Sequence, residues 1–166
     1  FDLGTGGNKA LLYDRAGRCL ASAFVPYTTH YPQVGWHDSA LGIGGTPLLK
    51  ARTLLQTSAT GRDEIACIAI SGHSLGAAPV DSNGNLLRDE TPIWSDLRAQ
   101  REAEDFFTRI DPTEWYLATG NGFPAACYTV FKVMWYQRHE PAMWNKVFKI
   151  LGTKDYINFL LTGRML

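Results

Sequence analysis

The sequence predicts an α/β domain built in layers, a mixed sheet with helices beside it. Three observations carry that prediction. The chain opens on three short strand-like runs with tight connections, its middle holds one continuous apolar run, and its second half has helical periodicity. Residues 1–3, 8–13 and 19–25 are the opening strands. Asp14-Arg15-Ala16-Gly17-Arg18 turns the chain between the second and third, which makes an antiparallel meander. Residues 26–38 read as a long aromatic loop with Tyr27, Tyr31 and Trp36. Residues 48–56 place apolar side chains at helical spacing, whereas 38–47 is expected to be irregular or poorly ordered. The run 65–71 (Ile-Ala-Cys-Ile-Ala-Ile-Ser) suits a strand covered on both faces, and it enters the loop Gly72-His73-Ser74-Leu75-Gly76. Residues 78–81 lead to Ser82-Asn83-Gly84-Asn85, a turn of the Asn-Gly kind, and 92–94 form another short strand. Helices are predicted over 97–110, 113–118, 127–138 and 153–161, with Pro141 stopping the third and Gly163 ending the last.

Composition narrows the function classes. Of 166 residues, 45% are hydrophobic, which excludes a disordered chain. Sixteen basic residues balance sixteen acidic ones, so nothing favours a nucleic-acid partner held by phosphate neutralisation. No apolar run approaches the ~18 residues of a membrane span, and the opening lacks the basic-then-apolar pattern of a signal peptide. Cys19, Cys67 and Cys127 are odd in number, far apart and in apolar surroundings. They are read as free thiols in or near a core, in a reducing, cytoplasmic setting, and not as zinc ligands. Phe1-Asp2-Leu3 reads as the tail of a strand, and the chain stops just past a helix; a piece of a longer protein is expected.

The segment Asp2-Leu3-Gly4-Thr5-Gly6-Gly7-Asn8-Lys9 carries the first chemistry. A phosphate needs several backbone N–H groups aimed at one point, and glycine allows the close approach. Thr5 adds a hydroxyl and Lys9 a positive charge. Asp2 suits a magnesium ion held through water, since that cation keeps its hydration shell. The spacing is neither a Walker A sequence nor a Rossmann fingerprint, and a plain flexible hairpin turn remains the alternative.

Asp-Leu-Gly-Thr before an antiparallel strand looks like the first phosphate loop of the actin/hexokinase/Hsp70 superfamily. Five further segments narrow it: 70–77 (Ile-Ser-Gly-His-Ser-Leu-Gly-Ala), 92–98 (Pro-Ile-Trp-Ser-Asp-Leu-Arg), Thr119-Gly120-Asn121, 131–135 (Phe-Lys-Val-Met-Trp), and Lys154-Asp155-Tyr156 with Leu161-Thr162-Gly163. In this order the set resembles the N-terminal part of the FGGY family of carbohydrate kinases, its xylulokinase branch most closely. The resemblance implies an actin/hexokinase-like (ribonuclease H-like) domain over residues 1–166, the sugar-side domain, truncated at both ends and without the nucleotide-side domain. It implies transfer of the γ-phosphoryl group of ATP, with Mg2+, to a hydroxyl of a pentulose such as xylulose or of a related ketose or polyol. Gly4, Thr5, Gly6 and Lys9 would take the phosphates, Lys9 and Asp2 acting in catalysis and Asp2 orienting hydrated magnesium. His73, Ser74, Trp94, Asp96 and Asn121 would face the sugar. The partners implied are the sugar and ATP, with no membrane and with a homodimer left open. The alternative is a sugar- and nucleotide-binding module of the same fold that does not catalyse. An acetate-kinase or chaperone-type ATPase fits the segments 92–98 and 131–135 less well.

Each of these residues has a plainer role beside the functional one. His73 alone would be an ordinary loop histidine, Trp94 a core residue, and Asp96 a cap for a helix starting at Leu97. Tyr128, Phe131, Trp135 and Tyr136 fall at helical spacing and are read as packing, and Asp155 and Lys154 as a helix start. Two departures from the family stand out. Leu75 occupies the place of a histidine, and a leucine cannot bond a sugar hydroxyl, so a sugar other than xylulose is in question. After Gly35-Trp36 the family's acidic residue and Trp-Trp helix start give way to His37-Asp38 and a glycine-rich stretch. The family's general-base Asp lies downstream of these residues, so the chain alone is not expected to catalyse.

Overall fold

The computed structural model describes residues 1–40, 53–122 and 124–165. The predicted meander is its first feature. Strands β1 (Asp2–Gly4), β2 (Gly7–Tyr13) and β3 (Cys19–Pro26) pair antiparallel, with Asp2 opposite Lys9 and Ala10 opposite Ala23. Asp14 builds the turn into β3: its Oδ1 accepts the N–H groups of Ala16 and Arg18 at 2.9 Å each. Gly17, at φ 81°, supplies the left-handed residue that this turn requires.

The stretch read as a loop, 26–38, contains two short strands, β4 (Thr29–His30) and β5 (Asp38–Ser39). Two residues of backbone pairing leave too little pattern for a strand to show in sequence. Residues 53–58 are helical (α1), in agreement with the expected helix where it is described; 41–52 of that prediction lie outside the described residues. The run 65–71 departs most from expectation. Only β6 (Ser71–Gly72) is a strand, parallel to β1, and Cys67 and Ile68 are exposed, Ile68 at 56%. The run still follows the sheet edge: the amino terminus donates to the Ala69 carbonyl and the Ser71 N–H to that of Phe1. An apolar pattern shows that a segment would gain from cover, but whether cover is present depends on other elements. The sheet order is β3-β2-β1-β6, mixed as predicted.

Strand β7 (Ala78–Val80) follows, then the Asn-Gly turn with Gly84 at φ 84°, and β8 (Thr91–Pro92), which pairs with β5. Helix α2 (Gln100–Phe107) starts three residues later than predicted. Helix α3 (Pro112–Thr119) has Asp111 as its N-cap, accepting from Thr113 and Glu114, and Gly120 as its left-handed C-cap. A 3-10 turn (Ala125–Cys127) leads into α4 (Thr129–His139). Pro141 ends α4 and also opens α5 (Pro141–Trp144), because its missing N–H costs nothing in a first turn. Strand β9 (Lys149–Leu151), which the sequence analysis missed, pairs with β7, and α6 (Thr153–Thr162) ends at Gly163 with φ 69°.

Two cores meet at β7. Leu3, Ala78, Val80, Leu151, Tyr156 and Ile157 pack between the sheet and α6. Ala77, Ala99, Ala103, Phe131, Trp135 and Tyr136 form the helical core, so the aromatic residues of α4 are packing, as expected. The cysteines are free but not buried: Cys19 and Cys67 are exposed and Cys127 is intermediate, which corrects their placement near a core.

Candidate functional site: the glycine hairpin and the Trp94 segment

Leu3 pairs with Asn8 and Gly4 with Gly7, so Thr5 and Gly6 form the two-residue tip of a hairpin. The tip is tied down by its carbonyls. Tyr27 donates its hydroxyl to the Gly4 carbonyl and its N–H to that of Gly6, and Thr29 Oγ1 donates to that of Thr5 at 2.8 Å. No acceptor among the described residues takes the Thr5 or Gly6 N–H. The tip therefore has its acceptors engaged and its donors free, the arrangement an anion needs. A Cβ on Gly6 would meet nothing within 4 Å, whereas one on Gly7 would lie 2.6 Å from the Val25 carbonyl oxygen and closer still to the Phe24 ring. Gly7 is thus required by packing, and Gly6 leaves open space over the tip. Asp2 and Lys9 are cross-strand partners, exposed on the same face. Burial, and secondly the Asp2 charge, push the Tyr27 hydroxyl above its ordinary pKa, so it remains a donor.

Trp94 comes to this hairpin from across the chain. Its indole Nε1 donates to Thr5 Oγ1 at 3.0 Å, and the ring is 46% exposed. It is thus not the core residue that a tryptophan commonly is. The other candidates are placed differently. His73 Nδ1 lies 3.0 Å from the Leu3 carbonyl, so that nitrogen carries the proton, and Nε2 accepts from Thr153 Oγ1 at 3.1 Å. Burial holds its pKa below the ordinary histidine value, and both ring nitrogens are engaged with the protein. Ser74 is exposed in the bend that follows, and Leu75 has φ 62°, a left-handed conformation rare for leucine. Asn121 is half-buried, with its N–H on Thr119 Oγ1; no hydrogen bond joins its side chain to the hairpin.

Asp96 is fully buried. Its carboxylate accepts from Arg98 Nε at 2.9 Å and Nη2 at 2.9 Å, and from the His37 N–H at 2.7 Å. Arg98 also pairs with buried Asp38 and lies over the rings of Trp36 (4.3 Å) and Trp135 (5.2 Å). Asp96 caps no helix at Leu97, because α2 begins at Gln100; it anchors the wall behind Trp94. Burial raises the Asp38 pKa, against the pull of Arg98 and Arg88.

Three contributors were missed in the sequence: Tyr27 and Thr29, which hold the hairpin tip, and Lys132, which bonds three carbonyls near the site. Lys132 stands alone among apolar and aromatic neighbours in 131–136, and that isolation was the available signal. An open cavity of about 590 Å³ between α2 and α4, lined by Phe106, Arg109, Met134 and Arg138 among others, borders none of these residues. Among the described residues no three of His, Cys, Asp and Glu group as a metal cage, and no helix is long and apolar enough to cross a membrane.

Comparison with known proteins gives the family and the fold. The family model for the N-terminal domain of the FGGY family of carbohydrate kinases matches residues 1–166, and the chain belongs to that family. It is 28% identical over 164 residues to the xylulose kinase of Staphylococcus xylosus, covering 99% of this chain and 33% of that one. Among solved structures it resembles a xylulose kinase from Brucella ovis (TM-score 0.88, 29% identity, 98% of this chain and 34% of that one). It also resembles that of Rhodospirillum rubrum (TM-score 0.84, 29% identity, 99% and 34%). The fold is therefore of the actin/hexokinase-like kind, and the chain spans about a third of the length of these relatives.

Proposed function

We propose that the chain is the sugar-side part of an ATP-dependent carbohydrate kinase that phosphorylates a hydroxyl of a pentulose, xylulose or a related ketose or polyol. The observation that supports it best is the indole N–H of Trp94 on Thr5 Oγ1, which brings a half-exposed aromatic ring beside a hairpin tip with two unengaged N–H donors. The phosphoryl group passes between two oxygens, and catalysis is mainly positioning and charge stabilisation. The Thr5 and Gly6 N–H groups bind phosphate oxygens, and Lys9 adds positive charge. The Trp94 ring takes the C–H face of the sugar, and Ser74 and Asn121 offer hydrogen bonds to its hydroxyls. His73 and Asp96, their polar atoms engaged within the protein, hold the walls.

A lone exposed carboxylate does not make a cage, but it fits a hydrated magnesium ion that shares its shell with the nucleotide. Asp2 is the residue to orient it, and the ion would neutralise charge developing on the phosphates. The base that takes the sugar hydroxyl's proton would come from outside residues 1–166.

The test is ADP release by the longer protein with ATP, Mg2+ and a panel of pentuloses, hexuloses and polyols. At least one is expected to turn over, and silence across the panel favours the non-catalytic binding module. Asp2→Ala should lower turnover by roughly 10²-fold or more with the melting temperature unchanged, since Asp2 is exposed. Unaltered turnover removes its magnesium role.

A further inference from the structure

Helix α4 carries a buried ammonium that the proposed chemistry does not use. Lys132 is fully buried, and its Nζ donates to the carbonyls of Leu75 (2.8 Å), Ile93 (2.6 Å) and Cys127 (2.7 Å). An ammonium has three donors, so its capacity is filled. The three acceptors lie in three segments: the loop after β6, the residue before Trp94, and the 3-10 turn that opens α4. Three carbonyl oxygens facing one point repel each other, and a cation relieves that repulsion. Among the described residues no carboxylate is bonded to it. The charged and titratable groups facing it are Asp96 and Arg98 from the segment after β8, Cys127 from the 3-10 turn and His73 from the loop.

We infer that Lys132 is a positioning residue of the site: its ammonium fixes the 73–75 loop and Trp94 against α4, and so keeps the indole on Thr5. It touches no reacting atom in the reading proposed above. Lys132 also makes the site sensitive to alkaline pH. Burial lowers its pKa to about 8, Asp96 opposing and Arg98 assisting. The neutral amine has two N–H donors, so losing the proton frees one carbonyl. In the unfolded chain the proton is held to about 10.5. Between these values the unfolded chain binds more protons, so rising pH favours the folded state through this group. A change at Trp94 near pH 8 is therefore local and not the start of unfolding.

The experiment follows the Trp94 indole N–H by NMR in the longer protein, isotope-labelled at tryptophan and lysine, between pH 6 and 9.5, assigned with Trp94→Phe. The resonance is expected to shift with a midpoint near 8 and to be flat in Lys132→Arg, whose guanidinium stays charged. A flat wild-type resonance, or an unaltered titration in the variant, overturns the inference. Should Lys132→Arg not fold, the Lys132 Cε resonance of the wild type must share the indole's midpoint, and differing midpoints overturn it. In the longer protein the sugar KM should rise several-fold from pH 7 to 9 with the ATP KM constant; a constant sugar KM overturns the link to the site. A protein with no turnover at all refutes the kinase reading, and the indole titration then decides the inference by itself.

Discussion

Glycine does two different jobs at the hairpin, and substitution separates them. Gly7→Ala forces a methyl group against the Val25 carbonyl and the Phe24 ring, and should cost about 1–3 kcal/mol in denaturant unfolding. Gly6→Ala meets open space, so stability should hold while ATP affinity in the longer protein falls. A Gly6→Ala protein that binds ATP normally would show that the space over the tip is not used by phosphate. At this scale the sequence was informative wherever a residue type has one dominant use. Gly17, Gly84, Gly120 and Gly163 all stand at positive φ in turns or helix ends. It was uninformative about partners. Nothing local shows that the Asp96 carboxylate turns inward to the His37 N–H, or that both nitrogens of His73 are engaged.

Helices were legible because their periodicity and caps are local. Asp111 accepts the N–H groups of Thr113 and Glu114, and Pro112 follows it at the first helical position. Asp111→Ala should therefore cost about 1 kcal/mol, read as a lowered unfolding midpoint and faster amide exchange at Thr113 and Glu114. Exchange left unchanged at those two amides would show that the cap is not formed in solution. Strands were less legible, for two reasons. The strands β4, β5, β6 and β8 are two residues each, too short for alternation to show. The run 65–71 has the composition of a covered strand, yet most of it lies exposed beside Phe1.

The whole molecule joins the hairpin layer to the helical layer through a few buried polar groups. His73 ties β1 to α6 through the Leu3 carbonyl and Thr153, and Lys132 ties the same loop to α4. Burial, reinforced by the charges of Lys132 and Lys154, keeps His73 neutral below the ordinary value of 6.5, while the bond to Leu3 opposes this. The unfolded chain then takes up a proton near 6.5 that the folded chain refuses. Stability should be fully present above that pH and fall as the pH drops through it. The check is the unfolding midpoint at pH 5 to 7.5 in wild type and His73→Gln. The variant should show a smaller loss on acidification, and identical slopes would remove His73 as the cause.

The sequence by itself determined the layered α/β class, the antiparallel opening, the helical second half and the family. Turn glycines, caps and apolar periods act over a few residues, and motif order survives at modest identity. Only the tertiary structure decided which candidates meet. It set Trp94 on Thr5, used Tyr27 and Thr29 to turn the hairpin's carbonyls inward, and withdrew Asp96 into an ion pair. The contacts of Trp94, Tyr27 and Thr29 span tens of residues, and the short Asp96–Arg98 pair is buried only because distant elements cover it; whether a polar atom is free or engaged depends on what the fold places against it.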